Sequence, residues 1–231
     1  MYAHTRSRND NKEITDQMIN GFQYKNMTWD PKPVKADVFF GGGARAFCKG
    51  NANCDTLNGK DYYAEYAALG YTVVKSQKEL DSYTGTGPVV GIFTNKHMDT
   101  WLDRTVYPEN LLGSKSSPDG TSDSATDQPG LQAMTMKAIE VMSGKCKDGF
   151  FLMAEAASVD KAMHGIDYDR ALADLLELDR TVQAVVDWSA KADGETGIVV
   201  TADHSQAFDV FGSVDTEYFN TLPNQQSWKN Q

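Results

Sequence analysis

The chain has 231 residues, 40% of them hydrophobic, and a formal net charge of -10 at pH 7. This size and composition allow a substantial hydrophobic core, in one domain or in part of a larger one. The negative charge argues against a nucleic-acid partner, because a phosphate backbone would be repelled and the sequence contains no dense basic patch. No apolar run is long enough to span a bilayer, and the first residues lack a signal-peptide core, so the residues do not indicate a location directly.

The first part of the chain predicts alternating helices and strands. In chain order these are a helix at 10–20, a strand at 36–40, a helix at 61–69, a strand at 72–75, a helix at 77–83 and a strand at 88–93. Such alternation is typical of an α/β sheet. Three glycines at 41–43 follow the first strand and indicate a tight turn rather than a phosphate-binding loop, because neither the Walker spacing nor G-x-G-x-x-G is present.

The second part of the chain predicts a loop, a helix and one larger βαβ unit. Residues 114–128 are rich in Ser, Asp, Gly and Thr and predict a solvated loop, whereas residues 130–143 carry apolar side chains at helical spacing. The apolar run at 150–153 predicts a strand buried on both faces, and residues 198–200 predict a second one. Between them, residues 168–192 predict a helix whose apolar stripe packs onto a sheet.

Side chains of metal-binding type lie around the ends of this predicted βαβ unit. Glu155 follows the first strand, Asp160 and His164 have helical spacing, and Asp203 and His204 follow the second strand. The four-residue spacing puts Asp160 and His164 on one helical face, where they can hold one ion. Because a right-handed βαβ unit brings both strand ends to the same edge of the sheet, we expect all five side chains to converge on one pocket.

The pattern E-x-x-S-x-D-K-x-x-H, followed after a long helix by V-T-A-D-H, resembles the metal-binding half of the alkaline phosphatase family. The resemblance implies an α/β fold with a mainly parallel central sheet and helices on both faces, incomplete in this chain. It implies metal-dependent hydrolysis of phosphate monoesters with two zinc ions and one magnesium ion. Glu155 matches the magnesium ligand, Asp160 and His164 match ligands of the first zinc, and Asp203 and His204 match ligands of the second.

Two positions match residues that bind the substrate phosphate in that family. Lys161 follows the zinc-type aspartate and matches a position near the bound phosphate. Residues 3–8 resemble the segment A-H-x-x-S-R, in which Arg8 takes the place of an arginine that clamps the phosphoryl group. One departure is Gln206, where many members of the family have a histidine. That position is not a usual metal ligand, so the departure casts little doubt on the site.

The resemblance covers nearly all of this chain but only the middle of the family's domain. We therefore expect residues 1–231 to be a partial catalytic domain, with the nucleophilic serine upstream of Met1 and one zinc-binding histidine in a carboxyl-terminal region. No catalytic nucleophile is expected among these residues. The family also implies a phosphate monoester and inorganic phosphate as ligands, an extracytoplasmic location, and a homodimer for the full-length protein.

Two other functions are compatible with the sequence. A sulfatase or a metal-dependent phosphoglycerate mutase shares parts of the metal site, although no cysteine here lies in the C-x-P-x-R setting of a sulfatase. The chain as it stands can also be a catalytically inactive metal-binding module, because three carboxylates crowd into one predicted pocket. Zinc-dependent turnover by the isolated chain would exclude the inactive module.

Four further residues have open interpretations. His97 follows a strand, so a pocket role is conceivable, but nothing else near it forms a set of metal ligands. Cys48 and Cys54 are spaced to close a short loop, and free thiols fit the sequence equally well. Asn26 begins an N-glycosylation pattern, for which chance occurrence is the better interpretation.

Overall fold

The computed structural model describes residues 7, 9–21, 35–192 and 194–206. The chain divides into two compact units, Met1–Ile198 and Val199–Gln231. In the first unit the described strands are β1 (Val38–Gly41), β2 (Thr72–Val74) and β3 (Val89–Ile92). The described helices are α1 (Asn11–Asn20), α2 (Tyr62–Ala68), α3 (Gln77–Ser82), α4 (Trp101–Thr105), α5 (Leu131–Lys145), α6 (Ala157–His164) and α7 (Tyr168–Ser189). Short 3-10 turns lie at Ala44–Ala46, Leu57–Gly59 and Pro108–Leu111.

The three strands form one parallel sheet in the order β1-β3-β2. Val89 of β3 is in register with Val38 of β1 on one side and with Thr72 of β2 on the other. The central strand is buried along its whole length, as is typical of parallel sheets that are covered on both faces. The predicted positions of these strands and of helices α1, α2, α3 and α5 are confirmed to within two residues at each end, whereas α4 was not predicted.

Helices cover both faces of this sheet, because side chains alternate between the two faces of β3. Val90 and Ile92 face a core that contains Tyr62 of α2 and Met18 of α1. Val89 faces the opposite core with four other buried residues, which are Val74 of β2, Leu80 of α3, Phe93 and Val141 of α5. The expected α/β fold with helices on both faces of a parallel sheet is therefore confirmed.

A disulfide between Cys48 and Cys54 closes a short loop beside the first core. The loop at 114–128 packs against it, since Asn53 Nδ2 donates to the carbonyls of Gly120 and Thr121 at 3.2 and 2.9 Å. Gly120 has φ +74°, and a Cβ at this position would lie 2.3 Å from Cys54 Sγ. The structure thus favours the loop-closing interpretation of these two cysteines over free thiols, and it confirms that residues 114–128 form a loop without helix or strand.

The prediction of two buried strands at 150–153 and 198–200 is wrong for this structure. Neither run is in a strand, and the side chains of Phe151 and Val199 are 88% and 89% exposed. An apolar run forms a strand only when neighbouring strands accept and donate its backbone hydrogen bonds. The described sheet ends at β1 and β2 and provides no such neighbour for either run.

The helix predicted at 168–192 is present as α7, but it buries a different face from the one expected. Leu172, Leu175 and Leu176 of the apolar stripe are 59%, 48% and 48% exposed, whereas Asp174 and Glu177 are buried. The reason is that α7 packs on α4, α5 and α6 instead of on a sheet. Helix α4 presents Arg104 and the N–H of Trp101, and α5 presents the N–H of Leu131. The carboxylates of Asp174 and Glu177 on α7 accept hydrogen bonds from these groups. Within the described residues, no helix combines the length and the apolar character required to cross a membrane.

Candidate metal centre

Helix α6 presents two side chains of metal-binding type on one face. Asp160 Oδ2 and His164 Nε2 lie 3.2 Å apart, one helical turn from each other. Two ligands of a tetrahedral zinc, each about 2.0–2.1 Å from the ion, are separated by roughly 3.3 Å. The side chains are 44% and 63% exposed respectively, so an ion can reach them. The pair therefore has both the donor chemistry and the spacing of two zinc ligands, and the predicted helical spacing is confirmed.

A second pair of the same type lies in the unit Val199–Gln231. The two side chains belong to consecutive residues, and His204 Nε2 lies 3.5 Å from Asp203 Oδ2. Both are exposed, His204 by 53% and Asp203 by 83%. An imidazole nitrogen and a carboxylate oxygen at this separation also fit adjacent positions around one ion.

Glu155 precedes α6 and is exposed. Across residues 7, 9–21, 35–192 and 194–206, no three His, Cys, Asp or Glu side chains are grouped closely enough to hold one ion together. The structure thus shows the candidate zinc ligands as two pairs, each described within its own unit. The convergence of all five side chains on one pocket stays a prediction.

Lys161 points from α6 towards the segment that follows the central strand. Its Nζ approaches the carbonyl oxygen of Met98 at 3.5 Å, and the side chain stays exposed. His97 is the preceding residue, and its pKa lies below the usual value because of partial burial and the nearby positive charges of Lys161 and Lys96. The imidazole is therefore neutral at pH 7. Arg8, the other predicted phosphate ligand, lies outside the described residues.

A network of ion pairs that the sequence analysis did not identify joins α7 to α4. Arg170 binds Asp103 through two hydrogen bonds, from Nε to Oδ2 at 2.9 Å and from Nη2 to Oδ1 at 2.8 Å. Asp103 also accepts from Thr100 Oγ1 at 2.7 Å and from Asn110 Nδ2 at 2.8 Å. These donors, first of all Arg170, hold the pKa of Asp103 well below its usual value. The signal in the sequence is the Thr100-x-x-Asp103 pattern of a helix start, which predicts α4 but not its partner.

A second contact of this network is almost completely buried. Arg104 Nη2 donates to Glu177 Oε2 at 2.6 Å, and the other carboxylate oxygen of Glu177 accepts from the backbone N–H of Leu131 at 3.1 Å. A Cβ on Gly130 would lie 2.3 Å from Glu177 Oε1, so the absence of a side chain at this position lets the carboxylate reach the start of α5. Glu177 thus joins three helices, α4, α5 and α7.

Asp174 completes the buried polar face of α7. Its Oδ2 accepts from the backbone N–H of Trp101 at 3.1 Å, and its side chain is 5% exposed. Burial raises the pKa of this carboxyl to about 6, because the charged form loses its hydration.

Comparison with known proteins gives one consistent family. The alkaline phosphatase family matches residues 1–230. The chain is 35% identical over 179 residues to alkaline phosphatase H of Pseudomonas aeruginosa, covering 75% of this chain and 37% of that protein. It is 32% identical over 199 residues to alkaline phosphatase of Escherichia coli, covering 84% of this chain and 39% of that protein. The chain thus spans less than two fifths of the length of these two relatives.

A solved structure shows the same fold. The crystal structure of Thermus thermophilus alkaline phosphatase superposes with a TM-score of 0.61 at 26% identity, covering 81% of this chain and 32% of that one.

Proposed function

The chain belongs to the alkaline phosphatase family, and we propose on this basis that it is part of an enzyme that hydrolyses phosphate monoesters with the help of metal ions. The observation that carries the proposal is the pair on α6, whose donor atoms lie 3.2 Å apart. A lysine, Lys161, lies between the two residues in sequence. Two metal-binding side chains and a cationic side chain on one short helix are suited to binding a phosphoryl group.

In this proposal each pair of ligands serves one zinc ion. Asp160 and His164 hold the first zinc, Asp203 and His204 hold the second, and Glu155 binds magnesium. Such ions supply Lewis-acid stabilisation of the phosphoryl oxygens. They also reverse the sign of the local charge, which lets an anionic ester approach a chain whose formal net charge is -10.

The cationic side chains bind and orient the phosphoryl group. The guanidinium of Arg8 can donate two parallel hydrogen bonds to phosphoryl oxygens, which fixes their orientation. Lys161 contributes a compact positive charge, and its exposed ammonium lies only 3.5 Å from the Met98 carbonyl oxygen. This carbonyl can hold the ammonium in place between binding events.

We assign the nucleophile to a serine outside residues 1–231, following the family resemblance. Residues 1–231 are then the middle of a catalytic domain, and further metal ligands come from the segments on either side. Ser158 lies in the first turn of α6 and Ser205 follows His204. In this proposal both act as hydrogen-bonding neighbours of the ligands and not as attacking groups.

The disulfide supports an extracytoplasmic location. A bond between Cys48 and Cys54 persists in oxidising compartments and is rare in the cytosol. We further propose a homodimer for the full-length protein, with phosphate monoesters and inorganic phosphate, and no nucleic acid, as its ligands.

The test is an assay of a chromogenic phosphate ester in alkaline buffer with zinc and magnesium. We compare residues 1–231 with a longer chain that adds the family's upstream nucleophilic serine and its downstream zinc-binding histidine. Turnover by the longer chain alone is expected. Absence of turnover by both chains, with zinc still bound, would instead support the inactive metal-binding module. The crowding of the carboxylates of Glu155, Asp160 and Asp203 in one proposed pocket, where they repel one another unless ions neutralise them, favours this second candidate.

A further inference from the structure

We propose that Arg170 and Asp103 are positioning residues for the α6 face that carries Asp160, Lys161 and His164. The inference rests on the function proposed above and adds to it the contacts that orient this face. The proposed function gives neither residue a contact with a metal or with the substrate. Both act through the junction between α6 and α7.

Helix α6 depends on α7 for its position. Among the described elements, α6 and α7 contact each other more extensively than any other pair. Only Ala162 of α6 is buried, so this helix has little apolar surface with which to hold itself against the sheet. Its orientation is therefore set mainly by where the start of α7 is held.

The junction between the two helices is short and tightly closed. The N–H of Ile166 donates to the Met163 carbonyl and the N–H of Asp167 to the Ala162 carbonyl, each at 3.0 Å. These two bonds form a Schellman motif directly after His164. The left-handed position of the motif, where glycine is usual, is occupied by Ile166 at φ +56°. A β-branched residue is strained there, and such strain persists only where the surroundings fix the backbone.

Arg170 fixes that backbone. Asp167 ends the Schellman motif and also begins α7, since its Oδ1 accepts from the N–H of Arg170 at 3.2 Å. The guanidinium of Arg170 then donates to Asp167 Oδ2 at 2.8 Å and to both oxygens of Asp103. A fork of this kind fixes direction as well as distance. Asp103 is 14% exposed and Arg170 33%, so the pair is partly shielded from water.

We call the ion pair of Arg170 with Asp103 the clamp. Its Asp103 end is anchored next to the central strand. The chain leaves β3 at Ile92 and turns through a segment that Thr94 Oγ1 holds by donating to the His97 carbonyl at 2.9 Å. Met98 in this segment accepts from Lys161, and Asp103 follows on α4. The junction at the end of α6 is thus attached to this stretch through the ion pair of Arg170 with Asp103. Loosening this attachment should tilt the ligand face.

The experiment is a titration with Co²⁺, whose visible absorption reports the geometry of its ligands. The parent chain is compared with Arg170→Ala, with Asp103→Asn, and with His164→Ala. The matched control is Lys145→Ala, which breaks an exposed ion pair with Asp37 elsewhere on the surface. All titrations are done where circular dichroism shows each variant to be folded. If Arg170→Ala does not fold, Asp103→Asn decides the test, because it preserves the shape of the side chain.

We expect Arg170→Ala and Asp103→Asn each to weaken Co²⁺ binding by about tenfold, as is usual for groups that orient a ligand, and to shift the absorption bands. The band shift distinguishes positioning from a general loss of stability, which would leave the spectrum of folded protein unchanged. Lys145→Ala should match the parent. If the parent binds Co²⁺ through His164 but both clamp variants retain its affinity and spectrum, the inference is overturned and the proposed function stands. If His164→Ala binds Co²⁺ as the parent does, the proposed metal site and the inference both fail.

Discussion

Arg104 and Glu177 form an ion pair at 2.6 Å in which both side chains are only 11% exposed. The pair joins α4 to α7, and the free oxygen of Glu177 reaches the first N–H of α5. A buried pair of this kind is costly to break, because the remaining charge cannot be solvated.

Replacing Arg104 by Ala should therefore lower the free energy of unfolding by about 3–5 kcal/mol. Urea unfolding monitored by circular dichroism measures the loss. The matched control is Arg45→Ala, since Arg45 pairs with Asp55 at 3.1 Å with side chains 55% and 40% exposed. An exposed pair contributes little to stability, because water and salt screen its charges. Equal losses for the two variants would contradict the structural role of Arg104.

The buried carboxyl of Asp174 should make stability depend on pH. Its pKa is about 6 in the folded chain against a usual 3.8, so folding favours the protonated form. This contribution is fully present below about pH 4 and is lost as the pH rises through about 6, which amounts to roughly 3 kcal/mol. Asp174→Asn removes the titrating group and keeps an oxygen that can accept from Trp101.

The measurement for Asp174 is the difference in unfolding free energy between Asp174→Asn and the parent from pH 4 to pH 7. We expect this difference to move in favour of the variant as the pH rises. A difference that stays constant over the range would show that Asp174 is not buried as described.

Relief of the strained position at Ile166 should stabilise the chain. Ile166 has φ +56° and its side chain is 66% exposed, so little apolar burial is lost on substitution. Asn tolerates the left-handed region, and Ile166→Asn should raise the unfolding free energy by about 1 kcal/mol. Ile166→Val keeps the β-branch and should bring no gain. If both variants melt at the parent temperature, the left-handed backbone at this position is not strained.

Contact between Gly120 and the disulfide should make this position intolerant of a side chain. Gly120→Ala would place a Cβ 2.3 Å from Cys54 Sγ and 2.7 Å from Cys48 Sγ. Gly113→Ala is a matched control, because Gly113 has nearly the same backbone angle, φ +76°, but has no atom within 4 Å of the added carbon. The two variants share the cost of the angle, so a lower melting temperature for Gly120→Ala reports the contact alone. Indistinguishable melting temperatures would contradict the packing of the loop on the disulfide.

The sheet could be predicted because its strands and helices are close in sequence and their patterns agree. Phe93 and Val141 show what was harder, since they meet in one core across almost fifty residues that include a loop without apolar periodicity. The spacing of Asp160 and His164 was sufficient to predict their pairing, because a helix alone brings them together. The spacing of Arg170 and Asp103 carries no such signal, because their contact depends on how two helices pack.

The strands predicted at 150–153 and 198–200 show where prediction from the sequence failed. Apolar composition reports a preference for burial, but it does not report which neighbours provide the hydrogen bonds. Phe151 and Val199 are exposed in this structure for want of such neighbours. The apolar stripe of α7 is exposed as well, at Leu172, Leu175 and Leu176.

The central claim is that Asp160 and His164 on α6 bind one zinc ion, and zinc retention after desalting tests it most directly. Parent, His164→Ala and the control His97→Ala are loaded with zinc, desalted and analysed for metal per folded chain. His97 is a histidine on the nearby 94–98 turn that the proposed site does not use. We predict that His97→Ala retains as much zinc as the parent while His164→Ala loses zinc and keeps its helical content. Equal zinc retention by His164→Ala and the parent would contradict the account.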